Sequence, residues 1–106
     1  MHPDVPLIVG TDQENGVVTR IRLPATPLPG AMALGAADSP VLTREAARVS
    51  GVELRSLGVN LTFAPVADVL TDPRNWVVGS RAFGSDPAQV AEQVRAAVYG
   101  YRDAGV

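Results

Sequence analysis

The chain has 106 residues, of which 46% are hydrophobic and 19% are charged. This length suits one modest domain, and the composition is typical of a globular protein with a buried core rather than of a disordered chain. Nine Lys and Arg against eleven Asp and Glu give a formal net charge of -2, which argues against a nucleic-acid partner because phosphate binding needs clustered positive charge.

Two further features narrow the possible functions. The chain contains no cysteine, so it offers neither a disulfide framework nor a thiolate for metal or nucleophilic chemistry. No apolar run approaches the roughly 20 residues of a membrane span, and the N-terminal residues lack the charged start and apolar core of a signal peptide. The sequence predicts no membrane segment, and it leaves the compartment and the oligomeric state open.

The first predicted element is a strand near residues 5–11. The run from Val5 to Val9 is short, apolar and bounded by Pro3 and Gly10, a pattern typical of a strand buried on both faces. The polar cluster at residues 10–16 predicts a turn, and residues 17–23 alternate loosely, as in a short strand. Three prolines and a glycine within residues 24–30 predict an irregular connection.

A helix near residues 40–57 follows this connection. Ser39-Pro40 is a typical helix start and Gly58 a typical stop, and Gly51 in the middle indicates close packing. The predicted apolar face contains Leu42, Ala46, Ala47, Val49, Leu54 and Leu57.

A second strand is predicted near residues 60–67 and a second helix near residues 87–103. Asp86-Pro87 begins this helix, Gln89 is placed for a capping-box-like arrangement, and Gly105 ends it. Its predicted apolar stripe contains Val90, Val94, Ala97, Val98 and Tyr101. The order of strand, helix, strand and helix predicts an α/β fold with parallel strands. Because two strands cannot complete such a sheet, the chain is expected to be incomplete.

Polar side chains cluster after each predicted strand. Parallel strands present their carboxyl ends at one edge, where ligands bind in α/β architectures. Carboxylates and guanidinium groups at such an edge suit a polyol, whose hydroxyls both donate and accept hydrogen bonds. The residues at this edge are Asp12, Glu14, Asp68, Asp72, Arg74 and Arg81.

Four segments in fixed order resemble the β-N-acetylglucosaminidase branch of glycoside hydrolase family 3. They are residues 7–20, Leu-Ile-Val-Gly-Thr-Asp-Gln-Glu-Asn-Gly-Val-Val-Thr-Arg; residues 53–60, Glu-Leu-Arg-Ser-Leu-Gly-Val-Asn; residues 63–69, Phe-Ala-Pro-Val-Ala-Asp-Val; and residues 75–83, Asn-Trp-Val-Val-Gly-Ser-Arg-Ala-Phe. Two positions depart from the family pattern: Asn15 replaces its second glycine and Val17 its following arginine. Because Asn tolerates the left-handed conformation better than most residues, we expect the turn to persist.

The resemblance implies that residues 1–106 are the incomplete N-terminal part of a (β/α)8 TIM barrel, roughly a third of a typical barrel of about 250 residues. It implies a retaining enzyme that removes terminal β-linked N-acetylglucosamine from peptidoglycan or chitin-type oligosaccharides, without cofactor or metal. Asp12, Arg20 and Arg81 are implied to contact this sugar. The family's nucleophilic aspartate and its His-Asp pair belong to segments beyond Val106, and His2 matches neither, so no catalytic residue is assigned and the chain alone is expected to be inactive.

Each candidate residue also has a structural alternative. Asp12 can form an Asx-turn, Arg81 can pair with a surface acid, and Glu14 is expected to support its loop through backbone amides. Asp68 is expected to anchor its own loop. Trp76 is expected to pack beneath its loop rather than stack on a sugar.

Three further hypotheses concern the function as a whole. The acidic residues 12, 14 and 68 match no calcium-loop spacing, so a metal site is disfavoured. A non-catalytic carbohydrate-binding or degenerate barrel protein is the alternative from another functional class. A β-glucosidase or β-xylosidase of the same superfamily is the alternative among enzymes.

Overall fold

The computed structural model describes residues 5–106. Residues 1–4, and with them His2, lie outside the described residues. The elements in chain order are β1 (Gly10–Thr11), β2 (Gln13–Asn15), β3 (Val18–Thr19), α1 (Ala31–Ala37), α2 (Pro40–Ser56), β4 (Leu61–Thr62), a 3-10 turn (Gly79–Arg81) and α3 (Pro87–Asp103). Within residues 5–106, no helix is long and apolar enough to cross a membrane.

Both predicted helices are confirmed. Helix α2 was expected near 40–57 and α3 near 87–103, and each observed boundary lies within one residue of the prediction. Gly58 and Gly105 follow the two helices with φ angles of 82° and 79°. These are left-handed conformations that end a helix at little cost only for glycine.

The helix starts are capped as predicted, with one difference at α3. Ser39 Oγ accepts a hydrogen bond from the backbone N–H of Leu42 at 3.3 Å, and Asp86 Oδ1 accepts one from the backbone N–H of Gln89 at 2.8 Å. The side chain of Gln89 does not complete a capping box. It donates instead to the carbonyl oxygen of Gly35 at 3.0 Å, so it ties the start of α3 to α1.

The packing of α2 against α3 corrects the predicted apolar faces. Leu42, Leu57 and Val98 are 49%, 60% and 41% exposed. Close approach of the two helices explains this difference, because a Cβ atom on Gly100 would lie 2.2 Å from the carbonyl oxygen of Arg44. Five of the six buried residues of α2 are small or polar, namely Thr43, Ala46, Ala47, Ser50 and Gly51, and the sixth is Leu54.

Strands β1 and β4 pair in parallel, as predicted, but over fewer residues. The ladder joins Gly10 to Leu61 and Thr11 to Thr62. Beyond it the side chain of Asn60 continues the pairing, since its amide donates to the carbonyl of Leu7 at 2.8 Å and accepts from the N–H of Val9 at 2.8 Å.

The expected burial of the first strand on both faces is wrong for the described chain. Leu7 and Ile8 are 76% and 71% exposed, and Phe63 beyond β4 is 65% exposed. The described residues form only two strands of this sheet. Its apolar faces therefore remain largely uncovered, as expected for part of a barrel.

Two elements were not predicted. The polar cluster at residues 10–16, which was predicted to be a turn, contains β2, and β2 forms an antiparallel hairpin with β3. The hairpin turns at Asn15 and Gly16, whose φ angles are 67° and 61°. The left-handed conformation expected of Asn15 is therefore confirmed. The second missed element is α1, a short helix of Ala, Met, Leu and Gly that directly follows the proline-rich connection.

Candidate functional site

The parallel pairing of β1 and β4 determines where the candidate residues lie. Asp12 directly follows β1, and the segment that leaves β4 carries Asp68 and Arg81. The backbone N–H of Phe63 donates to the carbonyl of Thr11 at 3.0 Å, so the two chain segments are still adjacent as they leave the sheet. Because both strands run in the same direction, their exits share one edge.

Arg81 is held by Glu14 through a bidentate ion pair. Its Nε donates to Glu14 Oε2 at 2.9 Å, and its Nη2 donates to Glu14 Oε1 at 2.7 Å. Its Nη1 donates to the carbonyl oxygen of Val77 at 3.1 Å. The side chain of Glu14 is only 8% exposed and that of Arg81 is 33% exposed, so this contact is partly buried rather than a fully exposed surface pair.

This contact changes two expectations. Arg81 does pair with an acid, but the acid belongs to the same edge of the sheet. Glu14 was expected to bond backbone amides, but it supports the site by bonding the guanidinium group of Arg81 instead. The pair joins two segments 67 residues apart in the sequence, a distance over which local sequence patterns carry no information.

The electrostatic surroundings of Arg81 bring Asp12 and Asp68 into the same cluster. Hydrogen bonding to Glu14, and then the charge of Glu14, raise the pKa of Arg81 above its ordinary value, and the charges of Asp68 and Asp12 add to this rise against the opposing effect of burial. The permanently protonated guanidinium of Arg81 is therefore in direct contact with Glu14 and is influenced at longer range by the charges of Asp68 and Asp12.

Asp12 and Asp68 have carboxylates that no described residue engages. Asp12 is half-buried and Asp68 is exposed. Within residues 5–106, neither side chain shows a hydrogen bond, so neither the Asx-turn considered for Asp12 nor the loop anchor expected of Asp68 is observed. As far as the described residues are concerned, their oxygens are available as hydrogen-bond acceptors.

Arg20 lies at the same end of the hairpin as Asp12 but forms neither a hydrogen bond nor an ion pair with it. Gln13 pairs with Thr19 across the hairpin, so the next residues along, Asp12 and Arg20, leave it together. The exposed guanidinium of Arg20 forms no ion pair with any residue in the described part of the chain. The structure thus brings Asp12 and Arg81 within electrostatic range of each other, whereas Arg20 is linked to Asp12 only through the hairpin backbone.

Gln13 is a residue that the sequence analysis missed. Its side chain is almost fully buried, with 4% of the residue exposed. Its Oε1 accepts from the backbone N–H groups of Arg20 and Ile21, both at 3.0 Å, and its Nε2 donates to the carbonyl of Ile21 at 3.0 Å. Gln13 therefore fixes the backbone of Arg20, while the side chain of Asp12 beside it bonds to no residue within 5–106.

The loop before Arg81 is ordered by its own side chains. Asn75 Oδ1 accepts from the backbone N–H groups of Val77 and Val78 at 3.2 and 3.3 Å. Trp76 at the tip is 88% exposed, so the expectation that it packs beneath the loop is wrong for residues 5–106. Because Val77 also receives the third bond of Arg81, this loop forms part of the same site.

The residues do not form an evident metal site. Among the described residues, no group of three or more His, Cys, Asp or Glu side chains is placed to hold a metal ion. Both oxygens of Glu14 are already occupied by Arg81. The chemistry available here is hydrogen bonding by carboxylates and a guanidinium group.

Comparison with known proteins identifies the family. Residues 2–106 match the family model of the glycosyl hydrolase family 3 N-terminal domain. The chain belongs to glycoside hydrolase family 3. The α/β architecture is therefore that of part of a family 3 TIM-barrel domain, as the sequence motifs predicted.

Several family 3 proteins resemble the chain over nearly its whole length. The β-hexosaminidase LpqI of Mycobacterium tuberculosis is 43% identical over 103 residues, which are 96% of this chain and 26% of LpqI. The β-hexosaminidase of Thiobacillus denitrificans is 42% identical over 107 residues, covering 95% of this chain and 30% of that protein. The solved structure of a family 3 β-N-acetylglucosaminidase from Paenibacillus sp. str. FPU-7 superposes with a TM-score of 0.94 at 48% identity, over 96% of this chain and 19% of that one. The chain thus spans less than a third of the length of each of these relatives.

Proposed function

We propose that the protein is a retaining glycoside hydrolase that removes terminal β-linked N-acetylglucosamine from peptidoglycan or chitin-type oligosaccharides. Membership of family 3 and similarity to proteins named β-hexosaminidases support this activity. Residues 1–106 supply part of the sugar-binding wall in this proposal. No catalytic residue and no cofactor is assigned to them.

The observation that carries the proposal is the cluster of Asp12 and Arg81 at the exit of the parallel strands. An unengaged carboxylate accepts hydrogen bonds from sugar hydroxyls, and a planar guanidinium group donates to oxygens in a fixed geometry. Arg20, exposed at the same end of the hairpin, is assigned to the same sugar. Holding the ring at several points provides binding energy that favours its distortion towards the transition state.

The activity is tested by assaying the full gene product on 4-nitrophenyl β-N-acetylglucosaminide, with the matching β-glucoside and β-xyloside as comparison substrates. We expect the N-acetylglucosaminide to give the highest kcat/KM. Preference for either other glycoside would place the protein in the β-glucosidase or β-xylosidase branch. Sugar binding without hydrolysis of any of the three would support a non-catalytic carbohydrate-binding protein.

The binding role is tested by Asp12→Asn, which keeps the size of the side chain and removes its charge. Because hydrogen bonds to charged groups contribute about 1.5–3 kcal/mol, we expect kcat/KM to fall roughly 10- to 100-fold. Asp103→Asn is the matched control, since this carboxylate bonds Arg44 at 2.8 Å at the end of α3. Equal activity of the two variants would remove Asp12 from the site. Residues 1–106 expressed alone should show no turnover, and enzyme-like turnover would contradict the absence of catalytic residues from this segment.

A further inference from the structure

We infer that Glu14 is a positioning residue for the sugar site: its carboxylate holds the Arg81 guanidinium in one orientation and keeps it from pairing with Asp12, the carboxylate assigned to the sugar. The inference rests on the proposed sugar-binding role of Arg81. It gives Glu14, which is not expected to touch the sugar itself, a function that acts through a neighbour.

The hydrogen bonds of Arg81 divide its donors into two sets. An arginine side chain has five N–H groups. Three are engaged by Glu14 and by the carbonyl oxygen of Val77. One N–H on each terminal nitrogen therefore remains without a partner in the described part of the chain. A guanidinium bound on its Nε side in this way presents a fixed pair of donors.

The location of the pair distinguishes it from an ordinary surface ion pair. Glu14 lies in β2, Arg81 lies in the 3-10 turn, and their side chains are 8% and 33% exposed. Glu45 and Arg48 on α2 form a bidentate pair of similar distances, but they are three residues apart and 56% and 44% exposed. Partial burial of the two charges carries a desolvation cost, so the pair is weak evidence of a purely stabilising role.

The neighbouring carboxylates give Glu14 a second task. The charges of Asp12 and Asp68 lie near enough to Arg81 to stabilise its cation. Without Glu14, the long arginine side chain would be free to pair with one of them. Asp12 would then be occupied before the sugar arrived, and both proposed contacts would be weakened together. Glu14 also restricts the rotamers of Arg81 in advance, so that less conformational entropy is lost on binding.

The test is Glu14→Gln in the full gene product, assayed on 4-nitrophenyl β-N-acetylglucosaminide. Glutamine keeps the size of the side chain but turns an N–H2 group towards a donor of Arg81. We expect kcat/KM to fall roughly 10- to 100-fold. Glu45→Gln makes the same change in the bidentate pair on α2 and should leave kcat/KM unchanged.

A double-variant comparison separates positioning from a purely structural role. If Glu14 acts through Arg81, Glu14→Gln combined with Arg81→Ala should lose no more activity than Arg81→Ala alone, because the effects of residues acting as one unit do not add. Losses that multiply would contradict the inference and show that Glu14 supports the fold independently of Arg81.

The outcomes also separate this inference from the proposed function. A wild-type protein without hydrolytic activity would overturn the proposed function and this inference with it. An active wild type together with a fully active Glu14→Gln variant would overturn the positioning role alone. If Glu14→Gln is insoluble, Glu14→Asp decides, because it keeps the charge but withdraws it by one methylene group: reduced kcat/KM supports positioning and an unchanged value contradicts it.

Discussion

Gly35→Ala tests the close packing of α1 against Phe83, which lies two residues after Arg81. A Cβ atom at Gly35 would lie 1.7 Å from the carbonyl oxygen of Phe83, 2.6 Å from its carbonyl carbon and 3.0 Å from its Cα. All three are backbone atoms, so no side-chain rotation relieves the overlap. Alanine favours a helix by about 1 kcal/mol over glycine, whereas overpacking of this severity should cost at least the upper end of the usual range of about 1–3 kcal/mol. We expect a net loss of about 2 kcal/mol or more in the free energy of unfolding.

Urea denaturation of the full gene product measures this loss. The matched control is Gly84→Ala, whose new Cβ atom would meet mainly Oε1 of Gln89 at 2.9 Å, the far end of a flexible side chain. This control should lose much less stability. Because Phe83 lies two residues after Arg81, Gly35→Ala should also lower kcat/KM. A Gly35→Ala protein as stable as the wild type would refute the described packing of α1 against this segment.

Two further predictions concern buried polar groups. Thr43 and Gln93 are both fully buried and hydrogen-bonded to each other. Thr43→Val should therefore lower the free energy of unfolding, measured by urea denaturation, by about 1–3 kcal/mol, because it leaves the side chain of Gln93 without its partner. Thr43→Val combined with Gln93→Leu should recover most of this loss, and a double variant as unstable as the single one would contradict the prediction. Burial raises the pKa of Tyr101 above its ordinary 10.0, so the unfolded state loses this proton first and wild-type stability should fall as pH rises above 10 towards the higher folded pKa. Tyr101→Phe should reduce this fall, measured as the midpoint of urea unfolding against pH. A Tyr101→Phe profile that falls as steeply as the wild-type profile would contradict this prediction.

The helices were predictable because their limits depend on local chemistry. Ser39 and Asp86 cap them, and Gly58 and Gly105 end them in left-handed conformations. Each of these signals acts within a few residues. The buried faces were harder to predict, because close helix approach favours small residues such as Gly100 over the apolar side chains that a hydrophobicity pattern selects.

The site was predictable in part. Strand exits and family motifs selected Asp12 and Arg81, and the structure brings them into one cluster. The partner of Arg81 was not predictable, because Glu14 is 67 residues away and its choice between backbone and guanidinium donors depends on the tertiary fold. Gln13 was missed for a similar reason: a polar residue in a polar cluster shows no sign that it faces the interior.

The most direct test of the account is a crystal structure of the full gene product with bound N-acetylglucosamine. We predict that one pyranose ring accepts a hydrogen bond from Arg81 and donates one to Asp12, while Glu14 keeps both of its bonds to Arg81. A sugar bound away from the shared exit of β1 and β4, or a complex in which Asp12 and Arg81 lie on opposite sides of the sheet, would contradict the account.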